Sequence, residues 1–493
     1  MKLQALLDGI VAGECSANPD VRGVVCDSRQ VRPGTVFVAV RGTREDGAEY
    51  IQDAVARGAA AVVTDRAIDA DSPVPLLVVD DAARALARLA ARYFGNPSDG
   101  LRMIGVTGTN GKTTVATLLR DMLRHAFHET GLISTVSYQV GSRVIPPTRT
   151  TPEAPVLHGL LADMVDGDCE CAVMEVSSHA LLQQRTAGID FDCGVFTNLS
   201  HEHLDYHKDI DSYFKAKCLL FESLGAGTKA ATAVVNADDT WGTRLLSDRP
   251  GRAEWLSYGS GPGVDVRAKN VRVDVNGSAY DVDTPWGSAS VETRLLGRFN
   301  VSNALAALAV GGSMGLSLGR MCRLLGSVDA VPGRLEAIPT AAGFKVFVDY
   351  AHSDDALRHV LETVREFTAG RILLVFGCGG NRDTSKRSAM GRVAAELADF
   401  SIVTSDNPRG EDPMVIIEQV EEGLKASGQY AVEADRKLAI RAAIEMAQEG
   451  DVVIVAGKGH ETFQEFANRT IPFDDRKAVT EALETRDVGS TRR

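Results

Sequence analysis

Short apolar runs alternate with longer amphipathic stretches along most of the chain. In the first hundred residues, apolar runs predict strands at 35–40 and 60–63, and a helical pattern covers 81–94. From residue 103 onwards, further strands are predicted by the runs at 103–106, 171–174, 193–196 and 233–235. Strands that alternate with helices are typical of a parallel sheet with helices on both faces.

The same pattern returns after residue 333. There, apolar runs predict strands at 346–348, 372–376, 401–404 and 452–455. Before them the chain has a β-rich insert near 264–295 and an apolar helix at 303–314. Most of these strands end in glycine or charged residues, so we expect chemistry at the carboxyl edges of the sheets. The polar tail after Glu484 is expected to fray.

Two breaks divide the pattern, at 95–98 (Gly-Asn-Pro-Ser) and at 331–333 (Val-Pro-Gly). A chain of 493 residues exceeds what a single hydrophobic core usually supports. We therefore predict three α/β domains: a small one at 1–98, a central one with a parallel sheet at 99–332, and a Rossmann-like one at 333–493.

Composition and charge limit the classes of molecule that the protein is expected to bind. The net charge of −13 argues against nucleic acids and anionic membranes, so any phosphate must be bound by local groups. The eight cysteines are scattered and lack zinc-ligand spacing. No signal peptide or membrane-spanning run is apparent. A cytoplasmic protein with reduced thiols is expected.

A glycine-rich turn follows the predicted strand at 103–106. Its sequence is Gly108-Thr109-Asn110-Gly111-Lys112-Thr113-Thr114. Glycines let backbone N–H groups face phosphates, Lys112 reaches the terminal phosphates, and the Thr113 hydroxyl can bind Mg²⁺. The more general phosphate-loop pattern requires glycine at the position of Val106. The shorter variant is therefore more family-specific, and we predict an ATP site.

Other metal-capable groups follow the next strands. Glu175 ends a predicted strand, where its carboxylate could complete a Mg²⁺ shell. Three histidines lie at 201, 203 and 207, but their spacing is not that of a zinc protease. We expect one of them to join the Mg²⁺ site and the others to be structural hydrogen bonders. By composition alone, Lys217 looks like a surface lysine.

The segment Asp406-Asn407-Pro408-Arg409 follows the predicted strand at 401–404. A rigid Asn-Pro turn would hold the acid and the base close together at the mouth of the sheet. Such a pair suits a zwitterionic, amino-acid-like ligand, although an ordinary loop is also compatible with the tetrapeptide alone. Together with the phosphate loop, the segment suggests ATP-driven bond formation.

Across nearly its whole length the chain resembles the Mur ligases, the ATP-dependent amide-forming enzymes of peptidoglycan precursor synthesis. Besides the phosphate loop and Asp-Asn-Pro-Arg, the resemblance rests on these motifs: Asp27-Ser28-Arg29, Pro33-Gly34, Thr150-Thr151-Pro152, Glu175-Val176-Ser177-Ser178-His179, Tyr213-x-x-Ala216-Lys217, Asn236-Ala237-Asp238-Asp239, Gly297-Arg298-Phe299-Asn300, Gly333-Arg334-Leu335-Glu336, Asp349-Tyr350-Ala351-His352, Gly377-Cys378-Gly379-Gly380-Asn381-Arg382-Asp383 and Gly457-Lys458-Gly459-His460-Glu461. Within the family they resemble the third-step members, which add meso-diaminopimelate to UDP-N-acetylmuramoyl-L-alanyl-D-glutamate.

The resemblance implies roles for individual residues. A carbamylated Lys217, with Thr113, Glu175 and His203, would hold Mg²⁺, and Lys112, Glu175, His203 and Lys217 would be catalytic. The nucleotide would contact the phosphate loop together with Asn300, Arg334 and Asp349. The UDP-muramoyl dipeptide would contact Ser28, Thr150, Thr151, Ser178, Gln183 and Arg185. Meso-diaminopimelate would contact Arg382, Asp406, Asn407, Pro408, Arg409, Gly457 and Glu461. A monomer is expected.

Two departures and two kinds of alternative remain. The family often has Asp at Glu202, and His-Thr-Pro where this chain has His352-Ser353-Asp354. The second departure removes a rigid turn beside the nucleotide. A lysine-adding relative or a folylpolyglutamate synthase would share the nucleotide core, but Asp27-Ser28-Arg29 argues against the latter. An ATP-bound regulatory protein without turnover would not need Lys112, Glu175, His203 and Lys217 together.

Overall fold

The structure, a computed structural model, describes residues 1–11, 17–42, 45–66, 72–127, 129–425 and 429–490. The first hundred residues form a small parallel sheet in the order β1-β2-β3-β4, with helices packed against it. The elements are α1 Leu3–Leu7, β1 Gly23–Val25, β2 Thr35–Ala39, α2 Ile51–Ala56, β3 Ala61–Thr64, β4 Leu76–Val78 and α3 Ala82–Tyr93. Helix α3 begins where the Asp81 carboxylate accepts a hydrogen bond from the Arg84 N–H.

The central part carries the largest sheet. Its elements are β5 Arg102–Thr107, α4 Lys112–Arg124, β6 Thr130–Ile133, β7 Tyr138–Val140, β8 Arg143–Ile145, α5 Ala154–Asp166, β9 Cys171–Glu175, α6 Ser178–Leu182, β10 Cys193–Phe196, α7 Leu204–His207, α8 Ile210–Ser223, β11 Thr232–Asn236, α9 Thr240–Asp248, β12 Glu254–Gly259, β13 Val266–Asp274, β14 Gly277–Thr284, β15 Gly287–Thr293, α10 Arg298–Ser313 and α11 Leu318–Ser327.

The central sheet has eleven strands in the order β15-β14-β13-β12-β11-β10-β5-β9-β6-β7-β8. Neighbouring strands from β13 to β6 are parallel, and both ends of the sheet are extended by antiparallel hairpins. One core lies between the sheet and α4, α10 and α11, and a second lies between the other face and α5 and α8. Strand β5 lies between β9 and β10, with Val106 opposite Glu175 and Thr107 opposite Phe196. This register brings three strand ends to one place.

The last part has a six-stranded sheet in the order β16-β17-β21-β18-β19-β20. Only the edge strand β16 is antiparallel to its neighbour. The elements are β16 Glu336–Ile338, β17 Lys345–Asp349, α12 Asp354–Phe367, β18 Ile372–Phe376, α13 Ser385–Leu397, β19 Phe400–Val403, α14 Pro413–Leu424, β20 Tyr430–Val432, α15 Arg436–Met446, β21 Val452–Ala456, β22 Phe463–Phe466, β23 Arg469–Pro472 and α16 Asp475–Ser490.

The central strands β18 and β21 are buried on both faces, as their unbroken apolar sequences require. Helices α12, α13 and α14 cover one face of this sheet, and α15 and α16 cover the other. Helices α13 and α14 meet backbone against backbone: a Cβ at Gly391 would collide with the Val420 carbonyl, and one at Gly423 with the Ser388 carbonyl. Each helix follows one of the loops at the carboxyl edge of the sheet.

The predicted three-part α/β fold is confirmed, with local corrections. The helix predicted from residue 303 begins earlier, at Arg298, and the tail predicted to fray continues α16 to Ser490. Strands β6, β7 and β8 were not predicted. The seven cysteines in the described ranges are free. Within those ranges, no helix is long and apolar enough to cross a membrane.

Candidate active site

The glycine-rich loop runs from the end of β5 into α4, as predicted. Gly108 and Gly111 have φ values of 147° and 86°, a region that side chains other than glycine rarely adopt. A Cβ at Gly108 would collide with the Thr197 hydroxyl, and one at Gly111 with the Asn303 amide. The backbone of the loop therefore lies directly against its neighbours, as close approach to phosphates requires.

The chain after β10 supports this loop from one side. Asn198 accepts hydrogen bonds from the N–H groups of Thr109 and Asn110, at 2.9 and 2.8 Å. The Thr197 hydroxyl donates to the Asn110 carbonyl at 2.6 Å. Because β10 is the neighbour of β5, the sheet itself sets the position of this support.

Lys112 begins α4, and its amine points back over the loop. Its Nζ donates to the carbonyls of Gly108 and Thr109 at 3.0 and 2.7 Å. Burial lowers the pKa of Lys112, while the charges of Glu175 and Glu202 oppose that shift. The amine therefore lies among the loop carbonyls with two carboxylates nearby.

Lys217 on α8 corrects the expectation from composition alone, which placed it at the surface. Its side chain is 1% exposed, and its Nζ donates to the Gly108 carbonyl at 2.7 Å and lies 4.4 Å from the centre of the Tyr213 ring. Burial, followed by the charge of Lys112, lowers the pKa of Lys217 well below its usual value. A neutral amine is the form that can react with carbon dioxide.

Glu175 ends β9 beside the loop and is buried. One carboxylate oxygen accepts from the Thr135 N–H at 2.9 Å and the other from the Thr135 hydroxyl at 3.1 Å. The Thr150 hydroxyl lies 3.1 Å from the Thr135 hydroxyl, within hydrogen-bond distance. Glu175 is thus linked to one of the residues predicted for the UDP-muramoyl dipeptide.

Two of the three histidines in the segment after β10, His203 and His207, have different surroundings. His203 has a positive φ of 58°, and its ring lies 4.8 Å from that of His179. Desolvation lowers the pKa of His203 to about 4, so the ring is neutral at pH 7. His207 Nε2 lies 2.9 Å from the Ser178 hydroxyl, which fits the structural role predicted for it.

The predicted Mg²⁺ ligands have suitable chemistry. Thr113 and Glu175 offer oxygen atoms, which Mg²⁺ prefers, and the neutral His203 offers a nitrogen lone pair. Lys217 would add oxygen atoms only as a carbamate. In the described part of the chain, no three side chains of His, Cys, Asp or Glu are grouped to hold a metal. Only Glu175 and His203 among the four predicted ligands belong to these residue types.

Three of the six residues predicted for the UDP-muramoyl dipeptide form one network. The buried Arg185 donates to the Thr151 carbonyl at 2.8 Å and to Gln183 at 2.5 Å, and it pairs with Glu153 at 3.0 Å. Burial lowers the pKa of Arg185. Gln183 in turn donates to the Tyr206 hydroxyl at 3.0 Å.

The first domain reaches this network through the loop after β1. Cys26 packs against the first-domain core, which also includes Ala154 of α5, the residue after Glu153. Burial and then Glu153 raise the pKa of the Cys26 thiol to about 11. Ser28, two residues later, is 7% exposed and begins a 3₁₀ turn that Asp27 caps. The predicted substrate residues of the two domains therefore lie along one junction.

The residues predicted for the nucleotide occupy the junction with the third domain. Arg334 Nη2 donates to the Thr113 hydroxyl at 3.0 Å, and its guanidinium lies 4.8 Å from the centre of the Tyr350 ring. Asp349 accepts from the N–H groups of Leu335 and Ala351, both at 2.6 Å. Burial raises the pKa of Asp349, and Arg334 opposes the shift.

Asn300 is buried at the start of α10. Its amide donates to the Leu296 carbonyl at 2.8 Å and accepts from Asn303 at 3.1 Å. Asn303 is the residue that a Cβ at Gly111 would meet. Asn300 therefore lies one side chain away from the phosphate loop.

Two more contacts join the third domain to the central one. Asn110 donates to Asp355 at 2.9 Å, and His352 lies 3.4 Å from Glu202. Burial would raise the pKa of Glu202, but His352 and then His203 hold it well below the usual value. Ser353, at the departure from the family pattern, caps α12 by accepting from the Ala356 N–H at 3.3 Å. A helix cap thus starts α12 without the family's proline.

The Asp406-to-Arg409 segment lies at the carboxyl edge of its sheet, as predicted. One oxygen of the buried Asp406 accepts from the Asn407 N–H at 2.7 Å. The other has no hydrogen-bond partner among the described residues and faces Gly457, where a Cβ would approach it to 2.6 Å. Asn407 donates to Glu461 at 2.8 Å. Asp406, Asn407, Gly457 and Glu461 are therefore brought together.

The two predicted arginines differ. Arg409 has a φ of 52° and donates to Glu465 and to the Gly380 carbonyl, both at 2.9 Å. The turn after Pro408 closes with a hydrogen bond from the Glu411 N–H to the Pro408 carbonyl at 3.0 Å. Arg382 is exposed on the neighbouring loop. A Cβ at Gly379 would lie within 4 Å of both arginine side chains, so these share one pocket wall.

Sequence reasoning missed several contributors. Lys458 and Glu465 contact the predicted amino-acid site. Lys458 stands in one of the quoted motifs, but a motif does not state which way a side chain points. Thr135 lies in a stretch for which no strand was predicted.

Three family descriptions match the chain in succession. "Mur ligase family, catalytic domain" matches residues 20–94, "Mur ligase middle domain" matches 106–311, and "Mur ligase, glutamate ligase domain" matches 333–459. The UDP-N-acetylmuramoyl-L-alanyl-D-glutamate–2,6-diaminopimelate ligase of Geobacillus kaustophilus is 45% identical over 473 residues, covering 95% of this chain and 96% of that one. The chain belongs to the Mur ligase family.

Other relatives of this Mur ligase support the same family assignment. The protein of the same name from Caldanaerobacter subterraneus is 43% identical over 486 residues, which cover 98% of this chain and 99% of that one. A solved structure of a ligase with that name has a TM-score of 0.71 at 32% identity and covers 99% of both chains. A MurF ligase from Thermotoga maritima in complex with ADP has a TM-score of 0.63 at 20% identity, covering 94% and 99%, and supports the fold alone.

Proposed function

We propose that this Mur ligase joins meso-diaminopimelate to the D-Glu carboxylate of UDP-N-acetylmuramoyl-L-alanyl-D-glutamate, with cleavage of ATP to ADP and phosphate. The names of relatives that are 43–45% identical over nearly the whole chain support this reaction. Residues predicted for ATP and for the UDP-muramoyl dipeptide lie at the junctions of the central domain with its two neighbours, and those predicted for the amino acid lie at the carboxyl edge of the third domain's sheet.

One structural observation carries the proposal: a continuous set of contacts between the phosphate loop and the amino-acid segment. Thr113 accepts a hydrogen bond from Arg334, Arg334 lies over the Tyr350 ring, and the Tyr350 and His460 rings are in contact at a tilt of 39°, with centres 5.0 Å apart. The next residue, Glu461, accepts from Asn407. A ligase that joins a phosphorylated acid to an amine needs these two sites in one cleft.

The reaction has two steps. The D-Glu carboxylate attacks the γ-phosphorus of ATP, forming an acyl phosphate as the bond to ADP breaks. The diaminopimelate amine then attacks the acyl carbon, loses a proton, and expels inorganic phosphate from the tetrahedral intermediate. Because anions meet in the first step, catalysis rests on positioning and on cations such as Lys112 and Arg334.

Thr113, Glu175, His203 and a carbamylated Lys217 would hold Mg²⁺, which when bound neutralises phosphate charge. Asn300, Arg334 and Asp349, with the loop from Gly108 to Thr114, would hold ATP. Ser28, Thr150, Thr151, Ser178, Gln183 and Arg185 would hold the UDP-muramoyl dipeptide. Arg382, the Asp406-to-Arg409 segment, Gly457 and Glu461 would hold meso-diaminopimelate.

The domain limits at 98/99 and 332/333 belong to this proposal. The first limit falls between two matched family regions, in the 3₁₀ turn Pro97–Gly100 between α3 and β5, and the second falls at the start of the third matched region, between α11 and β16. The first domain would bind the UDP-muramoyl substrate, the second ATP and the third the amino acid. Because ATP and UDP-linked precursors are cytoplasmic metabolites, we place the monomeric enzyme in the cytoplasm, with small molecules as its substrates.

A phosphate-release assay tests the function. Purified protein, ATP, Mg²⁺ and the UDP-muramoyl dipeptide are incubated with meso-diaminopimelate, with L-lysine, or with no amino acid. We expect sustained phosphate release and a tripeptide product with meso-diaminopimelate only. Equal turnover with L-lysine would contradict the assignment of meso-diaminopimelate as the specific substrate. No turnover with either amino acid would exclude the ligase reaction.

A further inference from the structure

The third domain contains a buried lysine to which the proposed reaction assigns no role. Lys458 follows Gly457 at the end of β21, and its side chain is 0% exposed. Its Nζ donates to Asn407 Oδ1 at 3.0 Å and to Glu461 Oε2 at 2.9 Å. Asn407 Nδ2 donates to the same Glu461 oxygen at 2.8 Å. Three side chains thus form a closed triangle beneath the amino-acid site.

This triangle fixes which way the Asn407 amide points. Its Oδ1 accepts from Lys458 Nζ and from the Glu465 N–H at 2.9 Å, so its Nδ2 must face Glu461. Glu465 is the carboxylate that pairs with Arg409 at 2.9 Å. Lys458 therefore reaches the arginine of the site through two hydrogen-bonded neighbours.

Three of the four carboxylates considered around the site are paired with a cation. Glu461 pairs with Lys458, Glu465 with Arg409, and Asp475 with the buried Arg436 at 2.7 Å. Asp406 is different: its buried Oδ2 has no hydrogen-bond partner within the described residues. One unmatched carboxylate is what a single ligand ammonium group requires.

We propose that Lys458 determines amino-acid specificity by neutralising Glu461 and orienting Asn407, which leaves Asp406 as the one carboxylate for a ligand ammonium. This inference rests on the proposed function and deepens it. Without Lys458, the site would hold a second unpaired carboxylate at Glu461. That charge would repel the distal carboxylate of meso-diaminopimelate, whereas lysine has no such group.

The test measures kcat/KM for meso-diaminopimelate and for L-lysine in Lys458→Met, at saturating ATP and UDP-muramoyl dipeptide. We expect the ratio of the two values to fall by about ten- to a hundredfold, the range for a hydrogen bond to a charged group. The KM for ATP should stay at its wild-type value. Lys458→Gln removes the charge but can still donate to Asn407, so it should fold well and show the same direction of change.

Lys229→Met is the matched control. Lys229 also donates to three partners, the carbonyls of Ser98 and Leu101 and the Asp192 carboxylate, at the other side of the central domain. Its loss should lower the melting temperature without changing the ratio. The same selectivity change in Lys229→Met would indicate a general effect of instability and would overturn the inference.

Three other outcomes would also overturn the inference: an unchanged ratio in Lys458→Met, a loss that is equal for both amino acids, or failure of both the Met and Gln variants to fold. Each of these leaves the proposed function intact if the wild-type protein uses meso-diaminopimelate. Absence of turnover in the wild-type protein would instead contradict the proposed function itself.

Discussion

Arg334 Nη2 lies 3.0 Å from the hydroxyl of Thr113, and this hydrogen bond joins the start of the third domain to the first turn of α4. The same guanidinium covers the ring of Tyr350. Arg334 therefore contacts both the phosphate loop and a ring that lies beside the amino-acid site. Because this contact is present in the structure, substitution of Arg334 tests directly whether the two sites are coupled.

Arg334→Ala should lower kcat/KM for ATP by about ten- to a hundredfold, the usual range for a lost hydrogen bond to a charged group. Steady-state titration of ATP at saturating co-substrates measures the change. Arg320→Ala is the control, because the exposed Arg320 bonds the His125 carbonyl at the opposite end of α4. Equal effects of both substitutions would contradict the role of Arg334.

Lys112→Ala should remove nearly all turnover while the protein stays folded. The amine lies over the phosphate loop, and in the reaction it would counter the charge on the transferred phosphoryl group. Turnover is measured by phosphate release and folding by circular dichroism. Near-normal turnover in the folded variant would rule the assignment out.

Lys217→Ala should be nearly inactive, because an alanine side chain cannot supply the oxygen ligands of a carbamate. Added bicarbonate should leave this variant inactive, while short carboxylic acids should restore part of the activity. Lys215→Ala, on the exposed face of the same helix, is the control and should retain wild-type turnover. Density for an unmodified amine at Lys217 in crystals of fully active enzyme would exclude the carbamate.

Arg409→Ala should reduce use of meso-diaminopimelate far more than it changes the KM of ATP or of the UDP-muramoyl dipeptide. A guanidinium suits the extra carboxylate of this amino acid, and sites built around such a polar group discriminate by about four to five orders of magnitude. Arg392→Ala, at an exposed position on α13, is the control. Wild-type enzyme that adds L-lysine equally well would disprove the assignment.

His158 predicts a pH dependence of stability. The side chain is 0% exposed on α5, and burial lowers its pKa from 6.5 to about 4. Because the folded pKa is depressed, the unfolded chain binds the proton more readily. Stability is then fully present above pH 6.5 and is lost as the pH falls towards 4, by about 3 kcal/mol in total.

His158→Leu should therefore flatten the fall in unfolding free energy between pH 6.5 and 4. Urea unfolding at a series of pH values measures it. His359→Leu, on the surface of α12, should leave the slope unchanged. An identical slope in wild-type and His158→Leu protein would show that other groups cause the acid sensitivity.

The sequence alone was sufficient to predict those features whose signal lies in neighbouring residues. Apolar runs such as the one in β21 predict buried parallel strands, and the glycines at 108 and 111 predict a loop that must approach its neighbours closely. Strands β7 and β8 are three residues each, too short to give a periodic signal.

Contacts between distant positions could not be predicted from spacing. Arg409 and Glu465 are 56 residues apart, and Arg334 and Thr113 are 221 apart. Lys217 shows the same limit: flanking residues suggest an exposed amine, whereas the packing of α8 against β5 buries it. The family resemblance identified Lys217 because it carries information about the fold that composition lacks.

The backbone contact between α13 and α14 has a consequence for protein engineering. Gly391 and Gly423 set the spacing of two helices that begin directly after the loops carrying Arg382 and Arg409. Grafting the two loops from a relative with another amino-acid preference would therefore transfer only part of that preference. The spacing between α13 and α14 would have to be transferred with the loops, by changing residues that do not contact the substrate.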